Sequence, residues 1–126
     1  MLQINRIKIS AEATQKLKQL KARTGLTPNI LSRLAICLSL DQPRNRELLS
    51  MDSNGQEFNN YTLFGQWEGL IISLVKQYLT DFTKKASFTE VEIIEEIRYH
   101  LMRGTKWLYS RIKSLESLSS IVIKSN

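Results

Sequence analysis

The segment TPNILSRLAICLSL, residues 27–40, constrains the fold of this chain more than any other. One charge, Arg33, stands among its fourteen residues. Thr27 and Pro28 supply an N-cap and a first-turn proline, and Pro43 follows its end, so the segment reads as a helix from about Pro28 to Leu40. A helix so apolar on all sides belongs inside a core or an assembly. Just before it, Ser10 reads as the N-cap of another helix reaching about Thr24, with Glu12 in its first turn. Ala13, Leu17 and Leu20 give that helix a narrow inward stripe, and Gly25 is placed to end it in the left-handed conformation. Residues Leu2 to Ile9 alternate, with Arg6 and Lys8 on one side, as a short strand does.

Charge is distributed unevenly. The net charge is +6, and residues 1–40 hold seven basic residues against Glu12 alone, whereas residues 41–126 hold eleven of each sign. A basic segment on an otherwise balanced chain is the electrostatic footprint of a polyanionic partner. One cysteine, Cys37, rules out a disulfide within the chain and suits a reducing, cytoplasmic setting. The opening MLQINRIKIS lacks the apolar centre of a signal peptide, and LIISLV is far too short to span a membrane.

Beyond Leu40, residues 41–62 read as a long polar connection in which Ser53–Gly55 permits a small hairpin. A helix is expected from about Leu63 to Thr83, with Phe64, Trp67, Ile71, Leu74, Tyr78 and Phe82 on one apolar face. Leu70, Ile72 and Val75 widen that face enough to suggest partner subunits. Thr89 reads as the cap of a further helix with Val91, Ile94, Ile97 and Leu101 inward and Gly104 just past its end. A last helix with Leu108, Ile112 and Leu115 inward reaches about Leu118, and 119–126 is a tail. The expectation is one domain over 1–126, mainly α, a short N-terminal strand followed by four to five helices. Its parts are a basic segment 1–40, the connection 41–62, a helical remainder 63–118 and the tail.

Catalytic constellations are thin. His100 is the sole histidine, and Glu96 four residues earlier shares its face, but paired Glu-x-x-His motifs are absent, so no metal or other cofactor is expected. Glu90, Glu92, Glu95 and Glu96 read as a solvated face, with Arg98 or Arg103 as partners. Cys37, between Ile36 and Leu38, reads as a buried small hydrophobe, and Arg33 as a structural arginine. Sulfur transfer through Cys37 would require that thiol to be exposed.

Strand, helix, glycine turn and apolar helix, in that order, resemble the ribbon-helix-helix DNA-binding fold. Two chains of that fold pair their strands into a ribbon, and Ile4, Arg6 and Lys8 would occupy the groove-reading positions. LKARTGLTPNILSRLAICLSL at 20–40, NYTLFGQWEGLIISLVKQY at 60–78 and HLMRGTKWL at 100–108 further resemble the DNA sulfur modification protein DndE family. The resemblance spans roughly residues 3–108. It leads to an arginine at position 60 and an acidic residue at 66, where this chain has Asn60 and Gln66.

What the resemblance implies is a helical, ribbon-helix-helix-like subunit of the DNA phosphorothioation machinery. It implies a tetramer that binds nicked double-stranded DNA and has no catalytic centre of its own. A cysteine desulfurase, an iron–sulfur protein and an ATPase-like protein would be its partners. Read on the residues, backbone binding falls to Arg6, Lys8, Lys16, Lys18, Lys21 and Arg23, with the helix start after Gly25 as a further phosphate contact. The alternatives are a dimeric ribbon-helix-helix repressor, with Arg6 and Lys8 at base edges, and an architectural subunit whose basic patch docks on acidic partner surfaces.

Overall fold

The computed structural model describes residues 6–45, 48–113 and 116–117. Strand β1 (Arg6–Lys8) leads into α1 (Ala11–Thr24), α2 (Pro28–Leu40) and, past an irregular segment, β2 (Glu57–Asn59). Then come α3 (Asn60–Phe64), a 3-10 turn (Gly65–Trp67), α4 (Glu68–Thr83) and α5 (Glu90–Arg111). The described chain is mainly helical with one short antiparallel ribbon, β1 against β2, in which Ile7 faces Phe58. The strand partner for Arg6–Lys8 therefore lies in the same chain, inside the stretch expected to be a long loop. No local hairpin forms at Ser53–Gly55: Ile9 donates its N–H to the Gln56 carbonyl (3.0 Å), and Gly55 donates its own to Ile9 (2.9 Å). Expectations for Leu2–Asn5, for Leu115 and for the tail lie outside the described residues.

The caps are where the sequence puts them. The Ser10 hydroxyl accepts from the Ala13 N–H at 3.0 Å. Gly25 ends α1 at φ 78°, and Thr89 and Glu92 close a reciprocal capping box on α5. Thr27 takes the cap position of α2 without a side-chain bond to the backbone.

Helix α2 packs chiefly against α5, and α1 packs against both. Leu17 and Leu20 of α1, Leu31, Ala35 and Ile36 of α2, and Ile93, Ile97, Leu101 and Leu108 of α5 form the centre of the core. Gly104, expected to lie beyond a helix end, sits mid-helix in α5, and the two helices expected there are one. Its role is tertiary. A Cβ at this position would stand 1.9 Å from the Ala35 carbonyl oxygen, so α5 crosses α2 backbone against backbone. The α5 stripe is also rotated from expectation: Ile93 is buried, whereas Val91 is exposed.

The helix expected from Leu63 is broken at Gly65, whose φ of 56° ends α3. Arg33 braces that break by donating Nη2 to the Thr62 carbonyl at 2.9 Å and Nε to Leu63. It is structural, as expected. The row of α4 turned inward is Ile71, Val75 and Leu79. Trp67, Leu70, Leu74 and Phe82 stay exposed, so part of the expected core face is surface.

Candidate nucleic-acid interface

Helix α1 divides its cations between two faces. Leu17 and Leu20 are fully buried, which fixes the rotation of the helix. Lys16 and Arg23, seven residues apart, share the side facing the end of α5. Arg23 donates Nη1 to the Tyr109 and Ile112 carbonyls (3.3 and 3.2 Å), and its guanidinium carbon lies 4.6 Å from the Tyr109 ring centre. Carbonyls at a helix C-terminus lack intrahelical donors and carry the negative end of the macrodipole, so this arginine closes α5. Expected to face solvent, it is committed to the fold. Lys16 pairs with Glu12 and lies 5.6 Å from the same ring.

Lys18 and Lys21 occupy the other face. Both are exposed, and neither has a hydrogen bond or ion pair among the described residues. On the ribbon, Ile7 is buried while Arg6 and Lys8 point outward. Arg6 pairs with Glu57 across the ribbon at 3.2 Å in a solvated setting. The position of β1 is set by Arg98, whose Nε donates to the Lys8 carbonyl at 2.7 Å. Its Nη2 reaches the Met51 and Asp52 carbonyls at 2.8 and 2.7 Å. Of the six cations expected to meet a polyanion, Lys18, Lys21 and Lys8 are unengaged through their side chains, while Arg6, Lys16 and Arg23 hold partners.

Candidate chemistry elsewhere is enclosed. The Ser39 Oγ is 2.7 Å from His100 Nδ1, and His100 Nε2 is 3.0 Å from Glu96 Oε2, the order of a nucleophile relay. Yet Ser39 and His100 are both 0% exposed, and Arg103 Nε donates onto the same Ser39 Oγ at 2.8 Å. The Glu96 carboxylate accepts from Nε2, and with that nitrogen protonated a neutral imidazole takes the Ser39 hydroxyl hydrogen on Nδ1 while Ser39 Oγ accepts from Arg103. Glu96, expected on a solvated face, is buried and bonded to Arg44 and His100. Burial raises its carboxyl, but the bonds from His100 and Arg44 outweigh that and hold it below the usual carboxylate range. Burial likewise pushes His100 below the usual imidazole range, against the pull of Glu96.

A pH dependence follows. A group whose folded pKa is depressed stabilises the fold above its unfolded pKa, and that stability is lost as pH falls toward the folded value. For His100 the loss begins below about 6.5, and Glu96 adds its own below about 4.5, its value when free. The chain has one histidine, so the urea midpoint is expected to fall between pH 7 and 5 in wild type and to flatten in His100→Gln. Equal midpoints for wild type at pH 7 and 5 would contradict the neutral assignment.

Cys37, expected to be buried, is exposed. It lies in an open groove with Ile30, Leu34, Trp67, Leu70 and Leu74, and burial among these apolar groups raises its thiol pKa. The cation nearest in sequence, Arg33, lines the same groove but spends its donors on Thr62 and Leu63. Among the described residues no group of three His, Cys, Asp or Glu side chains could hold a metal, and no helix is long and apolar enough to cross a membrane.

A helical fold built on an apolar α2–α5 crossing, with a basic ribbon and a basic outer row on α1, defines a small basic protein without an open catalytic cluster among its described residues. The family model for DNA sulphur modification protein DndE matches residues 6–116, and the chain belongs to that family. The crystal structure of DndE from Escherichia coli B7A, involved in DNA phosphorothioation modification, superposes with a TM-score of 0.70 at 24% identity, covering 86% of this chain and 99% of that one. A glycine-to-lysine mutant of DndE involved in DNA phosphorothioation gives 0.67 at the same identity and coverage. At that identity the likeness is one of fold. None of the curated proteins compared with the chain matches it.

Proposed function

We propose that this chain is a non-catalytic, cytoplasmic subunit of the DNA phosphorothioation machinery that binds the duplex backbone and prefers nicked double-stranded DNA. The observation that carries this reading is the pair Lys18 and Lys21, both exposed on the outer row of α1 and without a partner among the described residues. Lys8 and Arg6 on the outward face of the ribbon extend it. Cations held by a rigid helix neutralise phosphates without reading bases, so binding through them requires no sequence readout. Cys37 meets the exposure that sulfur transfer would require, but apolar surroundings raise its thiol pKa and disfavour the reactive thiolate, and the closure of Ser39 removes the other nucleophile.

The groove bearing Cys37, Trp67, Leu70 and Leu74 is assigned to contact between copies of the chain in a homotetramer, which would repeat the basic patch four times. The cysteine desulfurase, iron–sulfur protein and ATPase-like protein of the machinery are the heterologous partners. A repressor reading asks β1 to pair with another chain. It is disfavoured because β1 pairs with β2 on one edge and gives its Lys8 carbonyl to Arg98.

Gel shifts with intact, nicked and random-sequence duplexes test this reading. Wild type is expected to favour the nick, to ignore sequence, and to lose about tenfold in affinity on Lys18→Ala/Lys21→Ala, which removes two phosphate contacts. Tight binding to one intact sequence alone would favour the repressor instead.

A further inference from the structure

An open cleft lies between α1 and the turn that enters β2, lined by Ala11, Thr14, Gln15, Lys18, Asn54, Gly55 and Gln56. Its frame is fixed by backbone bonds. The Thr14 hydroxyl accepts from the Gln56 N–H and donates to the Ser10 carbonyl, both at 2.8 Å. Gly55 is pressed onto α1 so closely that a Cβ there would stand 2.1 Å from Thr14 Oγ1 and 2.2 Å from the Ser10 oxygen. Against this rigid floor, the side chains of Gln15, Lys18, Asn54 and Gln56 have no hydrogen-bond partner among the described residues. The fold uses the backbone of the turn, and its side-chain amides face solvent.

We propose that this cleft seats one phosphodiester of the DNA backbone, an inference that rests on the DNA-binding reading above and names its contact. The chemistry is complementary. A phosphodiester offers two charged acceptor oxygens, Lys18 offers a cation, and Gln15, Asn54 and Gln56 offer amide N–H donors. Asp52, which accepts from the Ala11 N–H at the edge of the cleft, keeps its negative charge, and Lys18 has to offset it. The Asp52 Oδ1 accepts from the Asn54 N–H at 3.0 Å and the Ala11 N–H at 3.1 Å, and those bonds hold its carboxyl below the usual range. Lys21, one turn further along α1, takes a neighbouring phosphate, so the cleft fixes register while the lysines supply attraction.

Amide and cation contacts respond differently to salt, which makes the cleft testable by fluorescence anisotropy on a nicked duplex. Asn54→Ala and Gln15→Ala are each expected to weaken binding about three- to tenfold at fixed salt, the size of one ordinary net hydrogen bond at a solvated site, with the log–log salt slope unchanged. Lys18→Ala is expected to weaken binding and to flatten the slope by about 0.9. Asn54→Asp, which places a carboxylate in the seat, weakens binding more than Asn54→Ala. Thermal unfolding midpoints of the Asn54 and Gln15 variants should match wild type, because neither side chain bonds within the fold. If Lys18→Ala weakens binding while both amide variants bind as wild type, the cleft is not the seat and the DNA reading stands. If Lys18→Ala and Lys21→Ala also bind as wild type, the DNA reading itself falls, and this inference with it.

Discussion

Arg103→Met is expected to destabilise the fold by about 2 kcal/mol or more, the loss of a set of charge-assisted hydrogen bonds from a buried side chain. Arg103 is 0% exposed. Its guanidinium donates to Ser39 Oγ at 2.8 Å, to the Ser39 carbonyl at 2.7 Å, to Pro43 at 2.9 Å and to Gln42 at 3.2 Å. Among the described residues no carboxylate bonds to it directly. The end of α2 takes that role, since its last carbonyls lack intrahelical donors and carry the negative end of the helix dipole. The rings of Trp107 and Tyr99, at 4.5 and 5.0 Å, cover the remaining faces. Methionine fills similar volume but removes every one of these bonds; the Ser39 carbonyl keeps the Gln42 N–H and the Gln42 carbonyl keeps the Tyr78 hydroxyl, so the loss is of the charge-assisted bonds themselves, about 1.5–3 kcal/mol for each that counts fully. Arg103→Lys is expected to recover a minority of the loss, because one ammonium cannot reach acceptors spread around a planar fork. Urea unfolding provides the measurement, and a loss under about 1 kcal/mol for the methionine variant would show that α2 ends without needing this arginine.

The second large effect is expected at Gly104. In an isolated helix, alanine for glycine is stabilising by about 1 kcal/mol. Here the new methyl would meet the Ala35 carbonyl oxygen at 1.9 Å, a backbone atom that cannot rotate away. Helices α2 and α5 must separate, and the core residues between them lose contact together. A net destabilisation of about 2 kcal/mol or more is expected, at the upper end of overpacking effects. Because the clash is with backbone, Ala35→Gly should not rescue Gly104→Ala. Rescue, or a stabilised Gly104→Ala, would contradict the crossing geometry. Thermal unfolding of the two single variants and the double variant decides it.

Gly104 also shows where sequence reading stops. A glycine after the stripe Ile94, Ile97, Leu101 looks like the end of a helix, because local chemistry favours glycine there. The demand for glycine comes from a neighbour 69 positions away in sequence, and no window around Gly104 contains it. The features that were legible are local ones. Ser10, Gly25 and Thr89 act as caps through bonds reaching three or four residues. The burial of Leu17 and Leu20 follows from spacing alone.

Charged residues were harder to place, since Arg98, Arg103, Arg23 and Glu96 all bond to groups distant in sequence. For Glu96 a signal existed. It lies three residues after Ile93 and four before His100, on the row that α5 buries, so the periodicity that placed Ile97 could have placed it too. Cys37 and Leu74 were misplaced for the opposite reason. An apolar row says that something covers it, not whether that cover is the same chain. In the candidate interface, the basic character of the first forty residues was legible, while the division between Lys18 and Lys21 outside and Arg23 inside was not. That division depends on Tyr109, whose carbonyl and ring hold Arg23 to the end of α5.

The most direct test of the central claim is the salt dependence of binding to a nicked duplex, measured for wild type and for Lys18→Ala/Lys21→Ala between 50 and 200 mM salt, about the range over which phosphate contacts are lost. Each phosphate neutralised contributes about −0.9 to the slope of log affinity against log salt. The double variant is expected to show a slope shallower than wild type by about 1.8. Identical slopes, or a wild-type affinity indifferent to salt, would mean that the outer row of α1 does not hold the DNA backbone.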